Sequence, residues 1–151
     1  MKNTILIQEN TFEKARKKIR ESKGKRIIFS SNSDELNRKV LEKENISVLL
    51  LPQLNRKDFQ KQRNSGFNQV LAKIAKKQGV SIGINFDEIV NSNEKQKAEI
   101  LARIRQNIKL CNKNKLKMKF ISQKIKRDVY GLKALGIVLG MPTWMASEID
   151  S

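Results

Sequence analysis

A basic segment between an apolar run and a helical stripe carries the residue types that hold phosphate groups. Arg56 and Lys57 lie at its start, and Arg63 lies further along. Arginine offers a phosphate two parallel donors, whereas lysine acts as a mobile point charge. The segment follows the third predicted strand, and parallel sheets place their binding loops beyond the carboxyl ends of strands. The pattern is typical either of a phosphate clamp or of a solvated basic loop.

The helix after this segment adds polar side chains at its start. Asn64 or Ser65 can cap it, so that its first amides either form an anion site or bind nothing. Asn68 and Gln69 are predicted to occupy the first turn, where they contact a nucleic acid or face water. Lys73 projects from the flank of the predicted helix, where it either reaches a phosphate or is solvated.

One further cation stands apart from this segment, after the fifth predicted strand. Arg127 precedes Asp128, which is the predicted cap of a late helix. Arg127 either pairs with that carboxylate or contacts a nucleic acid, and the residues alone favour neither.

Residues suited to catalysis are scarce. The chain has no histidine, which removes the usual imidazole metal ligand and general base. Asp58, Asp87 and Glu88 are candidate Mg²⁺ ligands, but they lie in different segments and show no paired spacing. The single cysteine, Cys111, excludes an internal disulfide and a cysteine-based zinc site, and its position predicts burial. We therefore expect neither a catalytic residue nor a metal site.

The charge of the chain points to a polyanionic partner. Among 151 residues, 32 Lys and Arg face 15 Asp and Glu, which gives a formal net charge of +17. A charge of this size repels itself, so a nucleic acid is the natural counterpart. Aromatic residues make up only 5%, which favours contacts with phosphates and recognition of shape over base stacking. No segment reads as a membrane span or a secretory signal, so we expect a cytoplasmic protein with no membrane partner.

Short apolar runs alternate with helical stripes along the chain. Strands are predicted at residues 4–7, 26–30, 46–51, 80–85 and 117–122. Continuous apolar strands separated by helices predict a parallel α/β sheet with right-handed crossovers. From the periodicity alone, the sheet is either doubly wound and open or part of a barrel, since a closed eight-stranded barrel normally takes about 200 residues or more. No internal boundary is visible, so residues 1–151 are predicted to form a single domain.

The helical stripes predict which side chains are buried. One helix is expected to begin at Asn10, in a capping box with Glu13, and another at Ser33. The helix after the basic segment carries an apolar stripe of Phe67, Val70, Leu71, Ile74 and Ala75. The longest helix is predicted to begin at Asn91, with Ala98, Leu101, Ile104, Ile108 and Cys111 inside and Arg103, Arg105 and Lys109 outside.

Three blocks of sequence resemble a known family in order and position. Residues 55–58 read Asn-Arg-Lys-Asp, and 63–73 read Arg-Asn-Ser-Gly-Phe-Asn-Gln-Val-Leu-Ala-Lys before the strand at 80–84. Lys-Phe-Ile-Ser follows at 119–122, and Leu-Gly-Ile-Val-Leu-Gly-Met at 135–141. From about residue 26 to residue 145 the chain resembles the archaeal ribonuclease P protein component 3 family, which is related to a eukaryotic RNase P subunit.

The resemblance implies a fold, a role and a set of contacts. It implies a shortened TIM-barrel-like fold of about five to six strand–helix units, an incomplete barrel, because family members have further units before the matching region. It implies a non-catalytic RNA-binding subunit that acts with RNase P RNA and protein component 2 in the 5′ maturation of precursor tRNA. The protein itself is expected to need no cofactor, whereas the RNA needs Mg²⁺. The RNA-binding residues implied are Arg56, Lys57, Arg63, Asn68, Gln69, Lys73 and Arg127.

Other functions stay open at this level. The same barrel fold houses metal-dependent phosphoesterases, and a generic basic RNA-binding module has the same composition. At Gln69 many relatives of the family carry histidine, so this position keeps hydrogen bonding but cannot titrate.

Overall fold

The computed structural model describes residues 3–58, 60–61 and 63–149 as an α/β structure. Its strands are β1 (Thr4–Gln8), β2 (Arg26–Ser30), β3 (Val48–Leu50), β4 (Ser81–Asn85) and β5 (Met118–Ile121). Its helices are α1 (Phe12–Glu21), α2 (Asp34–Lys43), α3 (Gln69–Gln78), α4 (Phe86–Asn91), α5 (Glu94–Lys113), α6 (Val129–Val138) and α7 (Thr143–Ser147).

The strands form one parallel sheet in chain order, β1-β2-β3-β4-β5. Each crossover therefore moves to the next position in the same direction, as in a barrel, and the order never reverses as it does in a doubly wound sheet. Among the described residues β1 and β5 are the two edges, so the sheet is not closed. The prediction of a shortened, TIM-barrel-like α/β fold is confirmed.

The two faces of the sheet have separate apolar clusters. Alternate strand residues such as Phe29, Leu49 and Ile82 point to one face and pack with the helices in the main core. Ile28, Val48 and Leu50 point to the opposite face, where Leu6 and Ile121 join them. Every member of this second cluster lies on a strand. Single-direction winding thus leaves the helices on one face and a concave face lined by strands alone.

Gly83 allows the concave face to be filled. A Cβ at this position would lie 3.0 Å from a methyl of Leu50, 3.1 Å from Val48 and 3.3 Å from Ile121. Because the neighbouring side chains occupy that space, Val48 and Leu50 are buried at 1% and 4% exposure. The five described strands therefore fill their own interior.

The ends of the helices differ from the predictions more than the strands do. The cap of α1 is Thr11, whose hydroxyl accepts from the N–H of Lys14, and not Asn10. The predicted cap at Ser33 is confirmed. The long helix begins later than expected, after Asn93, which forms a capping box with Gln96, and the preceding segment forms the separate helix α4.

Candidate nucleic-acid interface

A buried arginine on α5 anchors the basic segment that follows β3. The Arg103 side chain is only 2% exposed, although its position was predicted to lie on the solvated face. Its guanidinium donates to the carbonyl of Gln53 at 2.8 Å, to that of Arg56 at 2.7 Å and to the Asp58 carboxylate at 3.0 Å. A buried guanidinium is tolerated only when its donors are satisfied, so these three acceptors hold the charge in place.

The rest of the segment continues along α5 toward the carboxyl end of that helix. Gln106 accepts from the N–H of Arg63 at 3.2 Å and donates to its carbonyl at 2.9 Å. The buried hydroxyl of Ser65 donates to the side-chain oxygen of Asn107 at 2.6 Å. Arg56, Asp58, Arg63 and Ser65 are therefore each bonded to α5, at positions 103 to 107 of that helix.

The Arg56 side chain is held by hydrogen bonds to a carboxylate and to a backbone carbonyl. Its guanidinium makes two bonds to the Asp34 carboxylate, at 3.0 and 3.1 Å, and a third to the carbonyl of Pro52 at 2.5 Å. The side chain is 10% exposed. Gly66 has a φ of +74° and passes so close that a Cβ would lie 2.6 Å from the guanidinium, which explains the glycine. Arg56 and Lys57 line a cavity of about 360 Å³.

The Asp58 carboxylate bridges two arginines, Arg103 and Arg63. It accepts from Arg103, from Arg63 at 3.1 Å and from the N–H of Asn64 at 2.9 Å. Burial raises the pKa of the Asp58 carboxyl, but the bonds from Arg103 and Asn64 and the two arginine charges outweigh it, so the net pKa is below the ordinary value. Arg63, with a side chain 46% exposed, is the cluster's cation most open to solvent.

Three predicted contact residues extend into solvent with no ion pair among the described residues. Lys57 lies between Arg56 and Asp58, Lys73 lies on α3, and Arg127 lies in the segment before α6. Arg127 shares a separate cavity with Lys97, and Asp128 bonds the N–H of Gly131 at 2.7 Å as the cap of α6.

The two polar residues at the start of α3 have structural partners. Asn68 is the cap of α3 and accepts from the N–H of Leu71 at 2.9 Å. Gln69 exchanges two amide bonds with Asn114, each at 3.0 Å. The prediction that Asn64 or Ser65 caps this helix was wrong, because the cap is Asn68.

The candidate Mg²⁺ ligands lie in separate hydrogen-bonded settings. Asp87 accepts from the hydroxyl of Ser122 and from three successive N–H groups at residues 123–125. Burial raises its pKa, but these donors lower it further, to below the ordinary value. Burial holds the pKa of Glu88 above its ordinary value, against the N–H groups of Gln53 and Leu54 and the charge of Arg56. Within residues 3–58, 60–61 and 63–149, no three His, Cys, Asp or Glu side chains form a metal-ion cluster.

The spacing on α5 contains the signal for the buried arginine. The buried residues of this helix repeat every three or four positions and are Ile100, Arg103, Ile104, Asn107, Ile108 and Cys111. The predicted stripe began at Ala98, which is exposed, and so Arg103 fell outside it. Cys111 is buried as predicted, whereas Val70, predicted inside, is 51% exposed.

The fold and this cluster define a basic α/β protein whose sheet is wound in one direction and whose cationic segment is built onto a helix. Several proteins of methanogenic organisms are similar to this chain in sequence. Ribonuclease P protein component 3 of Methanococcus maripaludis (strain C7) is 31% identical over 132 residues, which is 87% of this chain and 53% of that protein. Its counterpart from Methanocaldococcus jannaschii is 29% identical over 72% of this chain and 45% of its own length. No family model matches the chain.

A solved structure agrees with the sequence comparison. A chain in a cryo-EM structure of archaeal ribonuclease P with mature tRNA superposes with a TM-score of 0.79 at 27% identity, over 97% of this chain and 63% of that one. The resemblance to the component 3 family is therefore confirmed, and the chain is a homologue of those proteins over most of its own length. It spans about half the length of the curated relatives it matches. No described helix is long and apolar enough to cross a membrane.

Replacing Arg103 tests the anchor directly. Arg103→Met approximately keeps the length of the side chain but removes the donor to the Gln53 and Arg56 carbonyls and one of the three donors to Asp58. We expect the free energy of unfolding to fall by about 3–5 kcal/mol, and hydrogen exchange to accelerate at residues 53–58. The matched control is Arg105→Met on the exposed face of the same helix, which should stay within about 0.5 kcal/mol of the native chain. Equal losses in both variants would contradict the anchoring role.

The pH dependence of stability tests the charge on Asp58. Its pKa is lower in the folded chain than the ordinary 3.8, so the ionised carboxylate stabilises the fold. That contribution is present above the ordinary value and disappears as the pH falls through the folded pKa. We expect Asp58→Asn to cost about 1–3 kcal/mol at neutral pH, and its stability to converge with that of the native chain in acid. Urea unfolding across pH measures this, and a constant difference at every pH would refute it.

Proposed function

We propose that this chain is a non-catalytic RNA-binding subunit of ribonuclease P that supports the catalytic RNA in the 5′ maturation of precursor tRNA. The observation that carries the proposal is the similarity to ribonuclease P protein component 3 across most of the chain. The likeness to a chain of archaeal ribonuclease P with mature tRNA supports it. The partners proposed are the RNase P RNA and protein component 2, with precursor tRNA bound indirectly, in the cytoplasm.

The physical basis of the proposed role is charge neutralisation. A folded RNA brings phosphates together at an electrostatic cost, which Mg²⁺ lowers in the absence of protein. Lysine and arginine side chains lower the same cost, so this subunit reduces the Mg²⁺ that the RNA needs, and the formal charge of +17 suits that task. The protein supplies no cofactor of its own in this proposal.

The proposed non-catalytic role agrees with the chemistry of the side chains. The chain has no histidine, and its candidate acidic ligands Asp58, Asp87 and Glu88 each accept hydrogen bonds from the protein. These carboxylates build the fold of the loops in which they lie.

The cations divide into two groups in this proposal. Arg56 and Arg63 are ion-paired and shape the segment, while Lys57, Lys73 and Arg127 extend into solvent and make the phosphate contacts. Arg63, which is half exposed, can contact RNA while it keeps its bond to Asp58. Asn68 acts mainly as the cap of α3, and Gln69 joins the start of α3 to Asn114 at the end of α5.

Reconstituted cleavage of precursor tRNA tests the function. The cognate RNase P RNA with component 2 is assayed across Mg²⁺ concentration, with and without this protein. We expect cleavage at low Mg²⁺ to need the protein, and the protein alone to be inert. Cleavage by the protein without RNA would instead support the alternative of a metal-dependent phosphoesterase. RNA binding with no effect on cleavage would support a generic RNA-binding module.

Removing the exposed cations tests the contact residues. The triple change Lys57→Ala, Lys73→Ala and Arg127→Ala should raise the Mg²⁺ needed for cleavage and flatten the salt dependence of RNA binding. Each phosphate contact contributes about 0.7–0.9 to the slope of log K against log salt, so the slope should fall by about 2–3. A matched control removes the same charge elsewhere, through Lys14→Ala, Lys17→Ala and Lys109→Ala on exposed helix faces. If the two variants have the same Mg²⁺ requirement and the same salt slope, Lys57, Lys73 and Arg127 are not the phosphate contacts.

A further inference from the structure

We propose that the amino-terminal edge of the sheet carries a second RNA-binding surface, a basic groove that takes the phosphodiester backbone. This inference rests on the proposed function, because it assumes that the partner is RNA. The groove consists of two adjoining cavities, of about 650 and 540 Å³, which share Gly24, Lys25 and Ser47. We call it the amino-edge groove. It lies at the end of the strands opposite to the segment that contains Arg56.

The backbone at the starts of the strands sets the groove's position. The N–H of Arg26 bonds the carbonyl of Asn3 at 2.9 Å, and the N–H of Ser81 bonds that of Ser47 at 3.0 Å. The next bond in the row joins Ile82 to the carbonyl of Lys117 at 3.0 Å. Because these bonds belong to the sheet, the side chains at the edge stand on a rigid base.

Strand register directs several of these side chains to the concave face. Val48 pairs with Ser81, and Gly83 pairs with Lys119. Since side chains alternate along a strand, Ser81 and Lys119 point to the same face as Val48. Val48 lies at the inner end of the larger cavity and belongs to the apolar cluster that fills the middle of the face. The groove thus forms the polar edge of the concave face, next to the apolar side chains that fill the face.

The charge of the groove is strongly positive. Lys25, Arg26, Lys117 and Lys119 line the larger cavity without an acidic residue among the described residues there. Arg20, Lys23 and Lys43 line the smaller one, together with Glu44.

The acidic groups nearby neutralise only part of that charge. Glu44 forms an ion pair with Arg16 at 3.8 Å and accepts a hydrogen bond from Arg20 at 3.4 Å. Glu148 pairs with Lys117 at 3.3 Å. The exposed side chains of Lys23, Lys25 and Lys43 have no ion pair among the described residues, so their charges are available to an anion.

The lining fits a phosphate chain better than a small organic ligand. Pockets for such ligands are mostly apolar and often aromatic, whereas no aromatic side chain is among the described residues that line these two cavities. Asn3, Asn45, Ser47 and Ser81 add hydrogen-bonding groups between the cations. Cations and short polar side chains without stacking surfaces are typical of proteins that bind the backbone of structured RNA.

The test compares RNA binding by two variants of equal charge. The groove variant carries Lys23→Ala, Lys25→Ala and Lys43→Ala, which are exposed positions that leave the core intact. The control carries Lys14→Ala, Lys17→Ala and Lys109→Ala. Binding to the cognate RNase P RNA is measured between about 0.05 and 0.2 M salt. We expect the groove variant to lose at least about tenfold in affinity relative to the control, with a slope smaller by about 2–3.

The outcomes separate the groove from the proposed function. If the native chain fails to bind the RNA, the proposed function fails and the groove with it. If the native chain binds and the groove variant matches the control, only the groove is refuted. A second readout uses Lys23→Cys with a tethered hydroxyl-radical source, which labels selectively because the chain's own cysteine, Cys111, is buried. Cleavage of the RNA by the source on Lys23→Cys, but not by a source on Lys14→Cys, supports the groove. Cleavage from Lys14→Cys but not from Lys23→Cys overturns it.

Discussion

The buried charge of Arg103 is the constraint on which the cationic segment depends. A guanidinium removed from water must have its donors satisfied, and here its acceptors are two backbone carbonyls and a carboxylate from residues 53–58. The segment adopts the one path that brings those oxygens to the helix. Asp58 in turn binds Arg63 and the N–H of Asn64, so a single buried cation determines where the neighbouring cations lie. The requirement that the buried guanidinium be hydrogen-bonded therefore constrains the path of residues 53–58.

A consequence is that charge in the sequence overstates charge at the surface of this segment. Arg56 and Arg103 are largely or wholly buried and neutralised by Asp34 and Asp58, and Arg63 is partly so. In the proposed function the phosphate contacts are therefore made by Lys57, Lys73 and Arg127, which lie outside these pairs. Arginine is suited to the first task because its planar fork bonds several oxygens at once, and lysine to the second because its point charge can follow a moving phosphate.

The sheet was predictable from the sequence because continuous apolar runs such as residues 26–30 and 46–51 have few other structures open to them. The periodicity also gave the buried Cys111 and the cap at Ser33. It predicted Asn64 or Ser65 as the cap of α3 and Asn68 in the first turn, because all three side chains suit a cap; in the structure Ser65 bonds Asn107 of α5 and Asn68 is the cap. The polarity of Arg103 predicts exposure, whereas its spacing from Ile100 and Ile104 places it on the buried face of α5.

The filled concave face explains how a sheet that is not closed can carry the two proposed binding surfaces at the ends of its strands. Because Gly83 has no side chain, Leu50 and Ile121 pack beside it on the concave face. Apolar side chains therefore fill the interior of the described strands, although β1 and β5 do not pair with each other. The main apolar core lies on the opposite face, between the sheet and the helices. The carboxyl ends carry the segment built on Arg103, and the amino ends carry the lysines of the groove. A chain that spans about half the length of its relatives can retain cationic surfaces in this way, because each surface depends on the sheet beneath it and not on a complete barrel.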